Sequence, residues 1–243
     1  MRSNSTDPVI GKKQKISSIL FSVILGVISY LLIVKITDNW FCRIYVPPGK
    51  NNRAAIAIRD NVNSFQKWGS KNFTAGYLQH YYGCYWYFTE SSNNNCKKQF
   101  QQSLKYALSH YSQVDIYLLA HQNSYIYWVD SLPPHLLTNI HLVYNTGCDD
   151  IYQGKHWLKL GADAYIGHYD QSSSPVFYFY FLRRWTRGYP AGQALAESNQ
   201  LMKSFLTQIE FLSFSQLDAD HIFLQSEAEL LGNPDITIGG RNQ

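Results

Sequence analysis

The chain has 243 residues, of which 45% are apolar, and a formal net charge of +4. That length suits one α/β domain with an appendage. Residues 1–15 carry a net charge of +3, so the remainder is nearly neutral and we expect no nucleic-acid partner.

The first predicted element is a membrane anchor. Residues 16–34 form an uncharged, mostly apolar run between Lys15 and Lys35. At about 1.5 Å per residue this run would make a helix of roughly 28 Å, close to the thickness of a bilayer core. Because the positive charge precedes the run, we expect residues 1–15 to be a cytoplasmic basic tail and the main domain to be extracytoplasmic.

A cleaved signal peptide is the alternative to this anchor. Signal peptides normally have a shorter apolar region that ends in small residues at a cleavage site. The run here ends in Leu32-Ile33-Val34-Lys35-Ile36, which offers no such site. The sequence therefore favours an uncleaved, single-pass transmembrane helix over residues 16–35.

A linker over residues 36–52 and a main domain over residues 53–243 are predicted next. The linker ends in a turn-forming Pro47-Pro48-Gly49 segment. Cys84 and Cys96 flank a polar loop and would form a disulfide in an oxidising compartment. With Cys42 and Cys148 the chain has four cysteines, so three pairings are open.

Strands and helices are predicted to alternate through the main domain. Phe100, Leu104, Leu108 and Tyr111 recur at helical spacing after Asn95, which predicts an N-capped helix. The other predicted segments are strands over 54–58, 81–88, 114–120, 139–144 and 162–166, helices over 62–79 and 150–160, a helix that begins at Ser174-Pro175, a further helix through 194–205, and a hairpin over 124–128. This alternation indicates a three-layer α/β sandwich with a mainly parallel sheet.

Two of the predicted strands are followed by side chains that can act in catalysis. His121 follows the strand over 114–120, and Cys148 follows the strand over 139–144 at a distance of a few residues. Neighbouring parallel strands end at the same edge of a sheet. If these strands are neighbours, an imidazole and a thiol lie together, which is the minimal apparatus of a cysteine nucleophile.

The order of these segments resembles the caspase-like cysteine peptidases, including the gingipains. Those proteins place a His, often followed by Gly, after one hydrophobic strand, and a Cys after the next strand. The matching segments here are Leu118-Leu119-Ala120-His121, Tyr144-Asn145-Thr146-Gly147-Cys148, Gly161-Ala162-Asp163-Ala164-Tyr165-Ile166-Gly167 and, more weakly, Leu231-Gly232-Asn233-Pro234-Asp235-Ile236. The resemblance covers roughly residues 53–238 and implies a caspase-like sheet.

The resemblance also implies roles for particular residues. Cys148 would be the nucleophile and His121 its general base or imidazolium partner, with no cofactor. The backbone N–H groups of Gln122 and Cys148 would form the oxyanion hole. Gln122 departs from the Gly that the family usually has there, which would matter if the turn required a positive φ.

Other polar residues compete for roles in this region. His168 also follows a strand and is the best rival base, whereas His141 lies inside a strand and is predicted to be a satisfied core residue. Asp163 and Asp170 would line a pocket for a basic side chain. Asp149 and Asp150 are predicted to be the N-cap and first-turn carboxylates of the helix that follows.

Two functions follow from these residues. The first is a membrane-anchored cysteine peptidase that acts on a peptide or protein substrate outside the cytoplasm. The second is a non-catalytic module of the same fold that binds a partner or scaffolds at the membrane. A nucleotide- or sugar-binding protein is disfavoured because no phosphate-binding glycine motif is present, and no metal site is expected because metal-ligand spacings are absent.

Overall fold

The computed structural model divides the chain into two compact units, residues 1–45 and residues 46–243. It describes residues 26, 29–30, 32, 47–60, 64–90, 95–119, 124–172, 174–212 and 218–240. The four described residues of the first unit are helical and exposed, and the rest of the predicted anchor over 16–35 lies outside the described residues. No helix within the described ranges has the length and apolarity needed to cross a membrane.

A six-stranded sheet in the order β2-β1-β3-β4-β5-β6 forms the centre of the second unit. Its strands are β1 (Arg53–Arg59), β2 (Cys84–Thr89), β3 (Gln113–Leu119), β4 (Ile140–Asn145), β5 (Ala164–His168) and β6 (Ala228–Gly232). The first five strands are parallel, and β6 pairs antiparallel with β5. β3 and β4 are almost entirely buried, as expected for parallel strands covered on both faces. The predicted α/β class with a mainly parallel sheet is confirmed.

Nine α-helices of the described residues surround this sheet. They are α1 (Ser64–Ser70), α2 (Gly76–Tyr81), α3 (Cys96–His110), α4 (Tyr125–Asp130), α5 (Pro134–Leu137), α6 (Gly154–Leu160), α7 (Ser174–Trp185), α8 (Ala191–Leu212) and α9 (Ala219–Ser226). A π-helical segment, Lys71–Ala75, joins α1 to α2. The predicted hairpin over 124–128 is wrong, because residues 125–128 belong to α4, whose buried face is formed by Tyr125, Ile126 and Val129.

The helices pack on both faces of the sheet, which confirms the three-layer arrangement. One face packs Phe100 and Leu104 of α3 and Trp157 of α6 against alternate residues of the central strands, among them Ile56 and Ile116. On the other face, α7 contacts the π-helical segment, α1 and α8.

The pairing of β3 with β4 contains a β-bulge. Val114 pairs with Ile140, but the next residue, Asp115, pairs with Leu142, so His141 is the extra residue. A bulge of this kind bends the strand and re-aims side chains. It brings the His141 ring next to the carboxylate of Asp115, with 3.0 Å between Nδ1 and Oδ1.

His141 and Asp115 belong to a buried polar network on the face covered by α7. The Tyr82 hydroxyl donates to Asp115 and lies 2.7 Å from the Tyr117 hydroxyl. Trp185 Nε1 donates to Asp115 Oδ2 over 3.2 Å. Burial, followed by the charge of Asp115, raises the pKa of Tyr82 well above its usual value. The prediction that His141 is a satisfied core residue agrees with its Nδ1 contact to Asp115.

The start of the second unit is held by Arg53, which is 1% exposed. Its guanidinium donates to the carbonyl oxygens of Pro47, Pro48 and Ile238 and, through Nε, of Tyr81. The compact unit therefore includes residues that the sequence assigned to the linker over 36–52.

Candidate functional site

The site predicted from the sequence lies at the carboxyl edge of β3 and β4. These strands are parallel neighbours, and their last paired residues are Leu118 and Asn145. Cys148 follows Asn145 by three positions and is half-buried. His121 follows Leu118 by three positions, but His121 and Gln122 lie outside the described residues. The adjacency of the two strands is confirmed, whereas the His121–Cys148 pair and the oxyanion donor Gln122 stay predictions.

A tight turn carries Cys148 away from β4. The Thr146 N–H donates to Leu118 O over 2.8 Å, which ties the turn to β3, and the Gly147 N–H donates to Asn145 Oδ1 over 3.1 Å. Asp149 then has a φ of 54°, in the left-handed region that Asp and Asn adopt more readily than most residues. Such conformations concentrate at functional sites. Cys148 thus lies on a specifically shaped turn rather than in a regular strand.

The other side of the turn is tied to β5. The Asp149 N–H donates to Asp170 O over 3.2 Å, and the Asp150 N–H donates to His168 O over 3.0 Å. The Tyr165 hydroxyl donates to Asp150 O over 2.7 Å. Hydrogen bonds to both neighbouring strands, β3 and β5, therefore hold the backbone on either side of Cys148.

Asp150 is fully buried, two residues after Cys148. Its Oδ1 accepts the His168 N–H over 2.7 Å. Asp150 stands at the N-cap position of the single-turn helix Ile151–Gln153, but its side chain makes no capping hydrogen bond. Burial raises the pKa of Asp150 to about 8, although the N–H groups of His168 and Gly147 oppose this rise. At neutral pH this carboxyl is therefore mostly protonated.

Gly167 makes room for the Asp150 carboxyl. A Cβ at position 167 would lie 2.6 Å from Asp150 Oδ1 and 3.0 Å from the Cα of Ile151. Any side chain at this position would therefore push the carboxyl or the backbone away from β5. The sequence resemblance places this glycine in the strand that follows Cys148, and the structure shows why no side chain fits there.

His168, the predicted rival base, is fully buried within the sheet. Its Nδ1 lies 2.8 Å from Ser226 O, and its ring stacks near Tyr144 with 6.2 Å between centroids. Burial lowers the pKa of His168 to about 4. The ring is neutral at physiological pH and enclosed, so the structure does not place it where a substrate would reach it.

The two predicted pocket carboxylates lie at opposite edges of the sheet. Asp170 follows β5 and lies beside the Cys148 turn, through the hydrogen bond from Asp149. Asp163 precedes β5, and its carbonyl accepts from Asn233 at the far end of β6. The structure brings Asp170 near Cys148 but does not bring Asp163 there, because the whole of β5 separates them.

Cys84 and Cys96, the predicted disulfide pair, are free thiols in the structure. Cys84 begins β2, and Cys96 begins α3 with its Sγ 4.0 Å from Thr89 O. Burial and then the charge of Glu90 raise the pKa of Cys96. The disulfide stays a prediction for an oxidising compartment.

Carboxyl groups that the sequence analysis missed lie along the same edge, on the other side of β3. Asp60 follows β1 and donates its N–H to Leu119 O over 3.0 Å. Glu90 follows β2, and its Oε2 accepts from the Tyr125 hydroxyl over 2.6 Å. Both residues directly follow a strand, which is the signal that singled out His121 and would have found them.

Within the described ranges, no group of three or more His, Cys, Asp or Glu side chains is arranged to hold a metal ion. No protein-family model matches the chain, and a search of curated proteins finds no match. Any functional assignment therefore depends on the geometry at the carboxyl edge of the sheet.

Proposed function

We propose that the chain is a caspase-like cysteine peptidase in which Cys148 is the nucleophile and His121 its partner. The observation that carries the proposal is the placement of Cys148 at the carboxyl end of β4, directly before Asp149 with its left-handed φ and next to β3, the strand that His121 follows. A six-stranded sheet with five parallel strands and an antiparallel edge strand is compatible with the caspase-like fold.

The proposed reaction is peptide hydrolysis through an acyl-enzyme. The Cys148 thiolate attacks the peptide carbonyl carbon, and the C–N bond breaks as His121 gives a proton to the leaving amine. Water then cleaves the thioester and restores the thiol. Backbone N–H groups of Cys148 and Gln122 would hold the oxyanion, an interaction worth about 3 kcal/mol per donor in such sites.

The location of this activity is proposed from the sequence alone. The apolar run over 16–34 and the basic residues before it support a single-pass anchor, with the catalytic unit outside the cytoplasm. A peptide or protein substrate fits an enzyme of this class.

A non-catalytic module of the same fold is the second candidate. Asp149 is exposed and directly follows Cys148, and Asp170 lies beside the same turn. Negative charges near a thiol disfavour the thiolate, which is the form needed for attack. A module that only binds a partner would not need that thiolate.

The rate at which iodoacetamide labels Cys148 in the full-length protein decides between the two. Labelling is followed by peptide mass spectrometry from about pH 5 to pH 9, with the half-buried Cys84 in the same molecule as the reference thiol. An activated Cys148 labels faster than Cys84 below pH 7, and this advantage disappears in His121→Ala. Because a nearby cation lowers a thiol pKa, the difference should be about tenfold or more.

Equal labelling of Cys148 and Cys84 in both proteins would reject the peptidase and support the binding module. If Cys148 is activated, peptidase activity is sought with a pool of peptides. Cys148→Ala should then abolish cleavage, whereas Cys84→Ala should leave it unchanged.

A further inference from the structure

The Asp150 carboxyl is the buried titratable group nearest in sequence to Cys148, and the proposed peptidase chemistry assigns it no step. It lies at the base of the turn, fully buried, and holds β5 through the His168 N–H. Its Oδ2 is buried with no hydrogen-bond partner among the described residues. A buried ionised oxygen without a partner is costly, whereas a neutral carboxyl is much less so.

We propose that Asp150 is the positioning residue of the Cys148 site, and that it holds the turn on β5 in its neutral, protonated form. This inference rests on the proposed function, because it gives Asp150 the task of presenting a reactive thiol. Asp150 acts on the thiol through the backbone that it holds in place and through its protonation state, and it touches no substrate.

The hydrogen bonds around Asp150 support the positioning role. Its backbone N–H and side-chain Oδ1 contact the two sides of the same residue, His168, so the end of β4 is clamped to β5. Its carbonyl accepts from the Tyr165 hydroxyl, which comes from the same strand. The absent Cβ at Gly167 allows the carboxyl to approach this closely. Cys148 stands at the tip of the turn that this clamp closes.

The charge of Asp150 connects the clamp to the reactivity of the thiol. The titratable groups that face Asp150 are Asp149 on the turn, Tyr144 on β4, and Tyr165 and His168 on β5. None of these side chains supplies a positive charge at neutral pH, since burial keeps His168 neutral. Ionisation of Asp150 would thus add an unbalanced negative charge two residues from Cys148 and disfavour its thiolate.

The test is the pH profile of Cys148 alkylation in the full-length protein and in Asp150→Asn. Below about pH 7 both side chains are neutral, so the two profiles should coincide. Above about pH 8 only the wild-type residue ionises, so Asp150→Asn should label faster than the wild type. The difference is at most about tenfold, which is the full effect of one pKa unit on a thiol that is still mostly protonated. Coincident profiles over the whole range would overturn the proposal.

Asp149→Asn is the matched control, because it removes the neighbouring carboxylate at an exposed position. Asn tolerates the left-handed conformation there, so the turn should persist. Asp149→Asn leaves Asp150 in place, so its labelling profile should keep the wild-type step near pH 8. If a step near pH 8 persists in Asp150→Asn but vanishes in Asp149→Asn, then Asp149 causes the step, and the proposal for Asp150 is overturned.

Gly167→Ala tests the clamp without substituting any residue of the turn. The added Cβ would displace the Asp150 carboxyl, and labelling of Cys148 should change at every pH while circular dichroism still shows a folded protein. Unchanged labelling in this folded variant would contradict the positioning role.

His121→Ala separates the inference from the proposed function. If this variant leaves labelling unchanged but Asp150→Asn alters it, the peptidase is rejected and Asp150 still positions the thiol. If His121→Ala slows labelling but Asp150→Asn has no effect, the peptidase stands and the inference fails.

Discussion

Asp150 and His168 are hydrogen-bonded neighbours whose pKa values burial shifts in opposite directions. The pKa of Asp150 is raised from 3.8 to about 8, and that of His168 is lowered from 6.5 to about 4. Both shifts keep these two buried side chains neutral near pH 7. Each shift also makes the free energy of unfolding depend on pH.

Protein stability should fall between about pH 6.5 and pH 8. Between pH 4 and pH 8 the unfolded chain releases the Asp150 proton that the folded chain keeps, so Asp150 lowers stability as the pH rises. Between pH 4 and pH 6.5 the unfolded chain binds a proton at His168 that the folded chain lacks, so His168 raises stability with pH. The two effects oppose each other below pH 6.5, and only the Asp150 effect continues above it.

Urea unfolding at pH 6.5 and pH 8 measures this effect. One group gives a decrease of at most about 1.4 kcal/mol per pH unit. Asp150→Asn should remove the decrease, whereas Asp149→Asn, at an exposed position, should retain it. A wild-type stability that rises over this interval would contradict the burial of a neutral Asp150.

Among the elements, β3 and β4 share the buried network of Asp115, His141, Tyr82 and Trp185. A buried ion or hydrogen-bonded pair adds little net stability against an apolar replacement, but removal of one partner leaves the other uncompensated. Asp115 is the hub, since it accepts from three of its neighbours.

Asp115→Ala should lower the free energy of unfolding by roughly 3 to 5 kcal/mol, because it leaves the buried Nδ1 of His141 without its partner and removes one partner from the Tyr82 hydroxyl. Chemical denaturation measures the loss. Asp130→Ala is the matched control, since Asp130 is half-exposed and lies 3.8 Å from His156, and its loss should cost less than about 1 kcal/mol. Equal effects of the two substitutions would show that the network contributes no specific stability.

The elements that sequence predicted best are those with a strong periodic signal. The apolar runs of β3 and β4 and the helical repeat of α3 identified these elements, and the order of strands and helices identified the parallel sheet. The short β6 was missed, because Ala228-Glu229-Leu230-Leu231-Gly232 mixes a charge and a glycine into a half-buried edge strand. The bulge at His141 was also missed, since it depends on pairing between strands and leaves no local pattern.

The candidate site was predictable only in part for the same reason. Positions just after strands identified Cys148, and the same rule applied to Asp60 and Glu90 would have enlarged the site. The Asp150 carboxyl contacts His168, which is 18 positions away in the sequence, and the His168 ring contacts Ser226 of α9, which is 58 positions away. Local patterns contain no information about such contacts.

At the scale of the whole second unit, Arg53 joins its beginning to its end. Its guanidinium contacts residues 47 and 48, the end of α2 and Ile238. Hydrogen bonds from a charged group contribute about 1.5 to 3 kcal/mol each, and a buried charged donor that loses its acceptors is costly. The unit should therefore depend on residues that precede its first strand.

A fragment of residues 46–243 should be more stable than a fragment of residues 50–243. The shorter fragment lacks the carbonyl groups of Pro47 and Pro48 but keeps the single-turn helix Lys50–Asn52 and all six strands. We expect its Tm to be lower by about 5 °C or more, as measured by calorimetry. Equal Tm values would show that water replaces both carbonyl groups at no cost.

The β-bulge at His141 also decides which way the chemistry at the end of β4 faces. Side chains alternate along a strand, so one extra residue exchanges the two faces for everything downstream of it. Val143 packs in the core on the α3 face, and Tyr144 contacts Phe181 of α7 on the other. The orientation of the turn that bears Cys148 therefore also depends on the bulge. A single insertion or deletion seven residues upstream is thus a route by which evolution can redirect the thiol while the fold is retained.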